Sequence, residues 1–192
     1  AVGLSDGSID LTASGGTPCI VADTLSAPSI GGNGSSGNSF NITNHSSSDL
    51  TITGFAQGGT YTNAGIVIDV WMYPGDYIPV MSTSTGWTLV GSDTVSLVAY
   101  GYSDEISVTG VVIPAGATYG FRVGTTLGSV SYTNGTGTPG VSTWASDSVL
   151  TITEGHGGSS PYWNSFVPRN WNGRVYYGDP TTPNYTFAWS NG

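Results

Sequence analysis

The densest set of groups able to recognise a small ligand lies in one stretch of the chain. Tyr162-Trp163-Asn164 is followed shortly by Arg169-Asn170-Trp171-Asn172, so aromatic rings, carboxamides and a guanidinium are gathered together. Aromatic faces stack on the apolar C–H faces of sugars, while Asn and Arg side chains address the hydroxyls. The pattern predicts a carbohydrate-binding loop made by Tyr162, Trp163, Asn164, Arg169, Trp171 and Asn172. The same residue types also serve as packing. On that reading Trp71, Trp87 and Tyr119 belong to the core, Trp163 and Trp171 cover a sheet end, and Arg169 satisfies itself on a ring or an acid.

Groups able to catalyse are scattered. The two histidines, His45 and His156, show neither HExxH nor Cys/His metal spacing. His156 lies in Glu154-Gly155-His156-Gly157-Gly158, which reads as a loop after a strand. Glycoside hydrolysis needs two carboxyl groups flanking the scissile bond, and Asp104, Glu105 and Glu154 are candidates. Twelve acids spread along the chain make such pairs unavoidable, and solvated turn acids account for them. Gly3-Leu4-Ser5-Asp6-Gly7 has the GxSxG form without the strand before it and the helix after it that a nucleophile elbow needs. Gly32-Asn33-Gly34-Ser35-Ser36-Gly37 and Gly135-Thr136-Gly137-Thr138-Pro139-Gly140 match GxGxxG, but neither opens a helix that would point at a pyrophosphate. No catalytic residue and no organic cofactor is expected. Calcium is the ion in question; with no DxDxDG loop present, Ser103, Asp104, Glu105 and Asp147 are its candidate ligands.

Charge narrows the partners. Twelve carboxylates face three arginines (Arg122, Arg169 and Arg174) and no lysine, a formal net charge of −9. Nucleic acids and anionic membrane surfaces are both held by basic groups, so neither is an expected partner. The missing lysine also excludes Schiff-base chemistry and Lys–Asn isopeptide cross-links. No apolar run reaches the roughly 20 residues of a membrane-spanning helix, so no membrane insertion is expected. The chain opens on Ala1, which reads as a mature product after removal of a signal peptide. An extracellular location, secreted or on the cell surface, follows from that reading. Sequons at Asn33, Asn41, Asn44, Asn134 and Asn184 permit N-glycosylation. Cys19, the single cysteine, either fills a small apolar site or links two copies.

The elements that must position these groups are strands. Thirty glycines and ten prolines, with short bursts of Val, Ile, Thr and aromatics between them, leave no segment with helical periodicity. Residues 106–125 give the clearest signal. Ile106, Val108, Val111 and Ile113 form an apolar side, Pro114-Ala115-Gly116 turns the chain, and Tyr119, Phe121 and Val123 alternate with Thr118, Gly120 and Arg122. The spacing predicts a hairpin. Residues 66–73 (IVIDVWMY) predict a central strand buried on both faces. Further strands are expected near residues 40–43, 50–55, 87–90, 95–100, 130–132, 149–153 and 174–177. About ten short strands at this spacing predict an all-β fold, a jelly-roll-like antiparallel β-sandwich with an N-terminal strand-forming arm. Residues 1–30 form the arm, 31–178 the sandwich and 179–192 a strand-like tail; the glycine-serine segment 31–39 reads as a hinge or a loop.

The ordered series SFNITN, LTITGF, VWMYPGDY, GWTLVGS, VVIPAGATYGF, YTNGTG, LTITEGHG and PRNWNGRVYY resembles a β-sandwich module of large secreted and surface proteins of environmental bacteria. The resemblance spans residues 33–177 and implies extracellular display or adhesion, with no catalytic residues carried over. Arm and tail lie outside it, and both alternate like strands. The favoured expectation is therefore a structural protein, a subunit of a surface filament assembled by inter-subunit β-strand addition. Ile9 and Leu11, the run Cys19-Ile20-Val21, or Phe187 and Trp189 would supply the buried side chains. The alternative is a carbohydrate-binding or adhesive module. The corresponding partners are further copies of the chain, or glycans.

Overall fold

A computed structural model describes residues 23–178. Ile9, Leu11, Cys19, Ile20, Val21, Phe187, Trp189 and the sequon at Asn184 lie outside the described residues. The strands are β1 (Asp23–Ser26), β2 (Asn33–Ser35), β3 (Gly37–Asn44), β4 (Leu50–Gly59) and β5 (Asn63–Tyr73). After a short 3-10 turn (Ile78–Val80) come β6 (Thr88–Leu97), β7 (Gly101–Tyr102), β8 (Ile106–Ile113), β9 (Thr118–Gly124) and β10 (Val130–Asn134). The series closes with β11 (Thr143–Ser146), β12 (Leu150–Thr153), β13 (Gly155–Gly158), β14 (Phe166–Trp171) and β15 (Gly173–Gly178).

These strands form two antiparallel sheets, the all-β sandwich expected from the sequence. The smaller runs β1-β15-β4-β7, with β8 also paired to β4. The larger runs β2-β10-β14-β13-β3-β9-β5-β6; β12 continues the β13 side of β3 and carries β11. Inward-facing residues of both sheets meet in one core. Its aromatic centre is Phe40, Phe55, Phe121 and Trp171, with Trp171 stacked on Phe40 at 4.8 Å between centroids and edge-on to Phe55 at 5.8 Å. Phe55 meets Phe121 at 5.3 Å. Side chains of this size each contribute about 2–3 kcal/mol on leaving water, so this quartet is a large share of what holds the sheets together.

The alternation in β8 predicted which residues are buried: Ile106, Val108, Val111 and Ile113 all face the core. The step of three between Val108 and Val111 is absorbed by a bulge against β4, where Gly110 takes a φ of +71°. The hairpin is not formed. β8 pairs with β4 in the smaller sheet, while β9 pairs with β3 and β5 in the larger. Pro114-Ala115-Gly116 is an arch that carries the chain from one sheet to the other. Both arms are apolar on one side, and facing those sides across the sandwich buries them where direct pairing would leave them needing a further cover. Asn44 clamps the arch, its Nδ2 donating to the carbonyls of Ile113 (2.9 Å) and Ser48 (2.8 Å).

Three other expectations change. Residues 66–73 are not buried on both faces: β5 lies next to edge strand β6, and only Ile66, Ile68 and Val70 are fully enclosed, with Val67 46% exposed. The glycine-serine segment 31–39 is no hinge, because it forms β2 and the start of β3. Residues 166–171 are not loop but β14, paired with β10 and β13.

Candidate functional site

The outer face of the larger sheet carries its side chains in cross-strand rows. Register aligns Leu89 of β6, Trp71 of β5, Arg122 of β9, Ser39 of β3 and His156 of β13. One neighbouring row is Asp69, Gly124, Gly37 and Gly158; the other includes Tyr73, Gly120 and Asn41. Directly opposed residues share a face, so the glycines leave bare backbone on either side of Arg122. Large rings fill that space. A Cβ on Gly124 or Gly37 would lie 3.0 or 3.1 Å from the Trp163 indole, and one on Gly120 would lie 2.6 Å from the Cβ of Tyr77. Two connections, residues 74–87 and 159–165, are thereby pressed flat onto the sheet.

Polar contacts fix both connections. The Ser39 hydroxyl donates to the carbonyl of Tyr162 at 3.0 Å. Asn41 accepts the Tyr77 N–H at 3.1 Å and donates to Asp76 at 2.8 Å. The Tyr77 hydroxyl lies 2.7 Å from His156 Nδ1. Burial lowers the His156 pKa below its ordinary 6.5, and burial with the nearby Asp76 charge raises that of Tyr77 far above 10. The pair is neutral at physiological pH and shares one hydrogen bond between the phenol oxygen and the imidazole Nδ1. His156 therefore belongs to a strand and is a structural tie, not a loop residue. The other histidine, His45, bonds Thr151 at 2.9 Å elsewhere.

Between the two connections lies a depression of about 80 Å³ lined by Trp71, Ser84, Trp87, Arg122, Pro161 and Tyr162. Arg122 is its fixed centre. The guanidinium lies 3.8 Å over the Trp87 ring and 5.3 Å from that of Tyr162. Nη1 donates to the Thr83 carbonyl at 3.1 Å, and Nη2 to those of Met81 and Val80 at 2.8 and 3.3 Å. Burial lowers its pKa to about 10, which leaves it charged at neutral pH. Trp71 and Tyr162 flank this cation half-exposed, whereas Trp87 is buried.

The residues expected to bind a glycan do not converge. Tyr162 joins the depression, and Asn164 stands beside it, donating to Ser82 Oγ and the Met81 carbonyl at 2.9 Å each. Trp163 is 1% exposed and lies against the sheet. Trp171 and Asn172 are fully enclosed between the sheets. Their burial follows from Gln57, which accepts the Trp171 indole N–H at 2.9 Å and donates to the Asn172 carbonyl at 3.0 Å. The Trp171 N–H and the Asn172 carbonyl are met inside, and although Asn172 Nδ2 has no partner among the described residues, neither Trp163 nor Trp171 presents a ring face to solvent on which a sugar could stack. Arg169 is on β14, its guanidinium 5.6 Å from the Tyr132 ring. Trp71 and Trp87, expected in the core, line the depression on the outer face instead, and with them stands Arg122, which no motif singled out. A usable signal existed: Arg122 alternates with core residues Phe121 and Val123, so it had to project from the opposite face.

Sequons divide likewise. Asn33 and Asn134 are exposed, whereas Asn41 and Asn44 are buried and their amides bonded, which closes those two to glycan in the folded chain. Of the calcium candidates, Ser103 is buried and bonded to backbone. Asp147 accepts from the Val149 and Leu150 amides and from the Tyr177 hydroxyl. Glu154, a candidate for glycoside hydrolysis, accepts the Gly137 amide at 2.7 Å. Among the described residues, no three His, Cys, Asp or Glu side chains are placed to hold one metal ion.

A second feature concerns the sheet edges. β1 is the end strand of the smaller sheet and pairs only with β15, Asp23 opposite Tyr177. Arm and tail thus join the fold at adjacent strands, at the same end of one edge. At the far side, β6 of the larger sheet approaches β8 so closely that a Cβ on Gly91 would lie 2.5 Å from the Ser107 carbonyl. No helix among the described residues is long and apolar enough to cross a membrane. No protein-family model matches the chain, and no curated protein matches it.

Proposed function

We propose that the protein is an extracellular structural subunit that assembles into a filament by β-strand addition at the β1 edge. The observation that carries this reading is the pairing of Asp23 with Tyr177, which sets the first and last described strands side by side at an edge only four residues long. One side of β1 bears backbone N–H and C=O groups without a strand partner among the described residues. Such an edge gains hydrogen bonds when an extended segment of another copy pairs with it. The arm offers Ile9 and Leu11 on one face of an alternating run, and the tail offers Phe187 and Trp189. Burying either pair against the neighbouring copy would supply the apolar part of the interface, about 3–6 kcal/mol before ordering costs.

The test is electron microscopy and light scattering of the full chain beside two truncations, lacking residues 1–22 and 179–192. The arm deletion stops at residue 22 because β1 belongs to the sheet. Filaments from the full chain and folded monomers from one truncation are expected. A monomeric full chain, or filaments surviving both deletions, overturns the proposal.

A further inference from the structure

The Arg122 depression lies on a sheet face, away from the edge at which subunits would pair, and it has a chemistry of its own. Its walls are the half-exposed rings of Trp71 and Tyr162, its floor a charged guanidinium, and its rim includes the exposed Ser84 hydroxyl. Nearby rings were free to be buried, and Trp87, Trp163 and Tyr77 are. Trp71 and Tyr162, by contrast, keep part of each ring in contact with water.

We propose that this depression binds a single pyranose ring, the terminal sugar of a surface glycan. Three features select that ligand. The depression is small and shallow, about 80 Å³, a seat for the face of one ring and not for an extended peptide. Aromatic walls match the C–H faces of a pyranose, and the Ser84 hydroxyl is placed for its oxygens. Arg122 supplies the third feature, a cation fixed beneath the rings at 3% exposure, whose buried Nε–H has no partner among the described residues. A phosphate ligand would call for further cations, yet Arg169 and Arg174 stand against other rings, near Tyr132 and Tyr102. The guanidinium is locked by three carbonyls and by Trp87, so little ordering is required when the sugar arrives. This site would give an assembled filament an adhesive surface, but its existence does not depend on assembly.

The experiment is a titration of the full-length protein with methyl β-glucopyranoside, methyl α-mannopyranoside, methyl β-galactopyranoside and N-acetylglucosamine. Binding is read by saturation-transfer NMR and by the indole N–H signals of the ¹⁵N-labelled protein. At least one sugar should saturate, shifting the Trp71 indole signal and leaving that of the enclosed Trp171 in place. Trp71→Ala and Tyr162→Ala should each weaken that sugar about tenfold or more, while Leu89→Ala, in the same row but outside the depression, should not. Failure of all four sugars to saturate overturns the proposal. So does a saturating sugar that leaves the Trp71 signal unmoved, a result that needs no variant to fold.

Discussion

Asn33 and Asn134, 101 residues apart in the chain, share a hydrogen bond of 3.0 Å from Asn33 Nδ2 to Asn134 Oδ1, on neighbouring strands β2 and β10. Each opens an exposed sequon, so two acceptor sites that look independent in the sequence form one surface station. The folded protein recovered from an N-glycosylating host should carry glycan at Asn33 or Asn134 and none at Asn41 or Asn44. Peptide mapping by mass spectrometry checks this, and occupancy at Asn41 in folded material would contradict it.

Asn44 illustrates why a buried sequon is closed. Its amide holds the arch between β8 and β9 through the Ile113 carbonyl at 2.9 Å and also holds the Ser48 carbonyl at 2.8 Å. Asn44→Ala strands those carbonyls and should cost about 2 kcal/mol. Urea unfolding would show the midpoint falling with the slope unchanged.

Glycine spacing around Arg122 is a packing requirement. A Cβ at position 120 would sit 2.6 Å from the Tyr77 Cβ, and one at position 124 would sit 2.7 Å from the Gly37 Cα. Gly120→Ala and Gly124→Ala should each destabilise by about 1–3 kcal/mol through overpacking. Gly124→Ala should also shift tryptophan emission to the red as Trp163 lifts from the sheet.

The Tyr77–His156 pair makes stability depend on pH in one direction. The folded His156 pKa lies below the unfolded value near 6.5, so between the two the unfolded chain binds more protons. Its contribution is complete above about 6.5 and declines as the pH falls below that value. His156→Gln should flatten that part of the stability profile relative to the parent. Tyr77→Phe should instead lower stability by about 1 kcal/mol where the imidazole is neutral. Denaturant midpoints measured across the acid range distinguish the two.

Arg122 is worth more as a planar fork than as a charge. Arg122→Lys keeps a cation but cannot serve the Thr83, Met81 and Val80 carbonyls together while lying flat on Trp87. A loss of about 1–3 kcal/mol is expected. Faster hydrogen exchange in residues 80–84, with the core strands unchanged, would localise the effect.

How far the sequence could be read follows from what alternation encodes. Alternation in residues 106–113 and 118–124 identified Ile106, Ile113, Phe121 and Val123 as inward-facing, because burial on one side has a period of two. It carries no information about the pairing partner, and Pro114-Ala115-Gly116 suits an arch as well as a hairpin. Trp171 was misplaced because Arg169-Asn170-Trp171-Asn172 is polar in composition. What buries it is Gln57, 114 positions away, which takes the indole N–H inside the sandwich. The depression was illegible for the same reason: Trp71, Arg122 and Tyr162 meet only through the strand register and the folded-down connection at residues 159–165.

The three arginines share a habit: Arg122 lies over Trp87, Arg174 over Tyr102 at 4.0 Å, and Arg169 near Tyr132, each on a hydrogen-bonded strand. With no lysine in the chain, these are also the only positions where trypsin can cut. A protease site must be extended and free to enter the enzyme, and none of these is while β9, β14 and β15 remain paired. Tryptic cleavage of this protein therefore works as a clock for opening of the sandwich, and its rate would time how long a subunit endures intact.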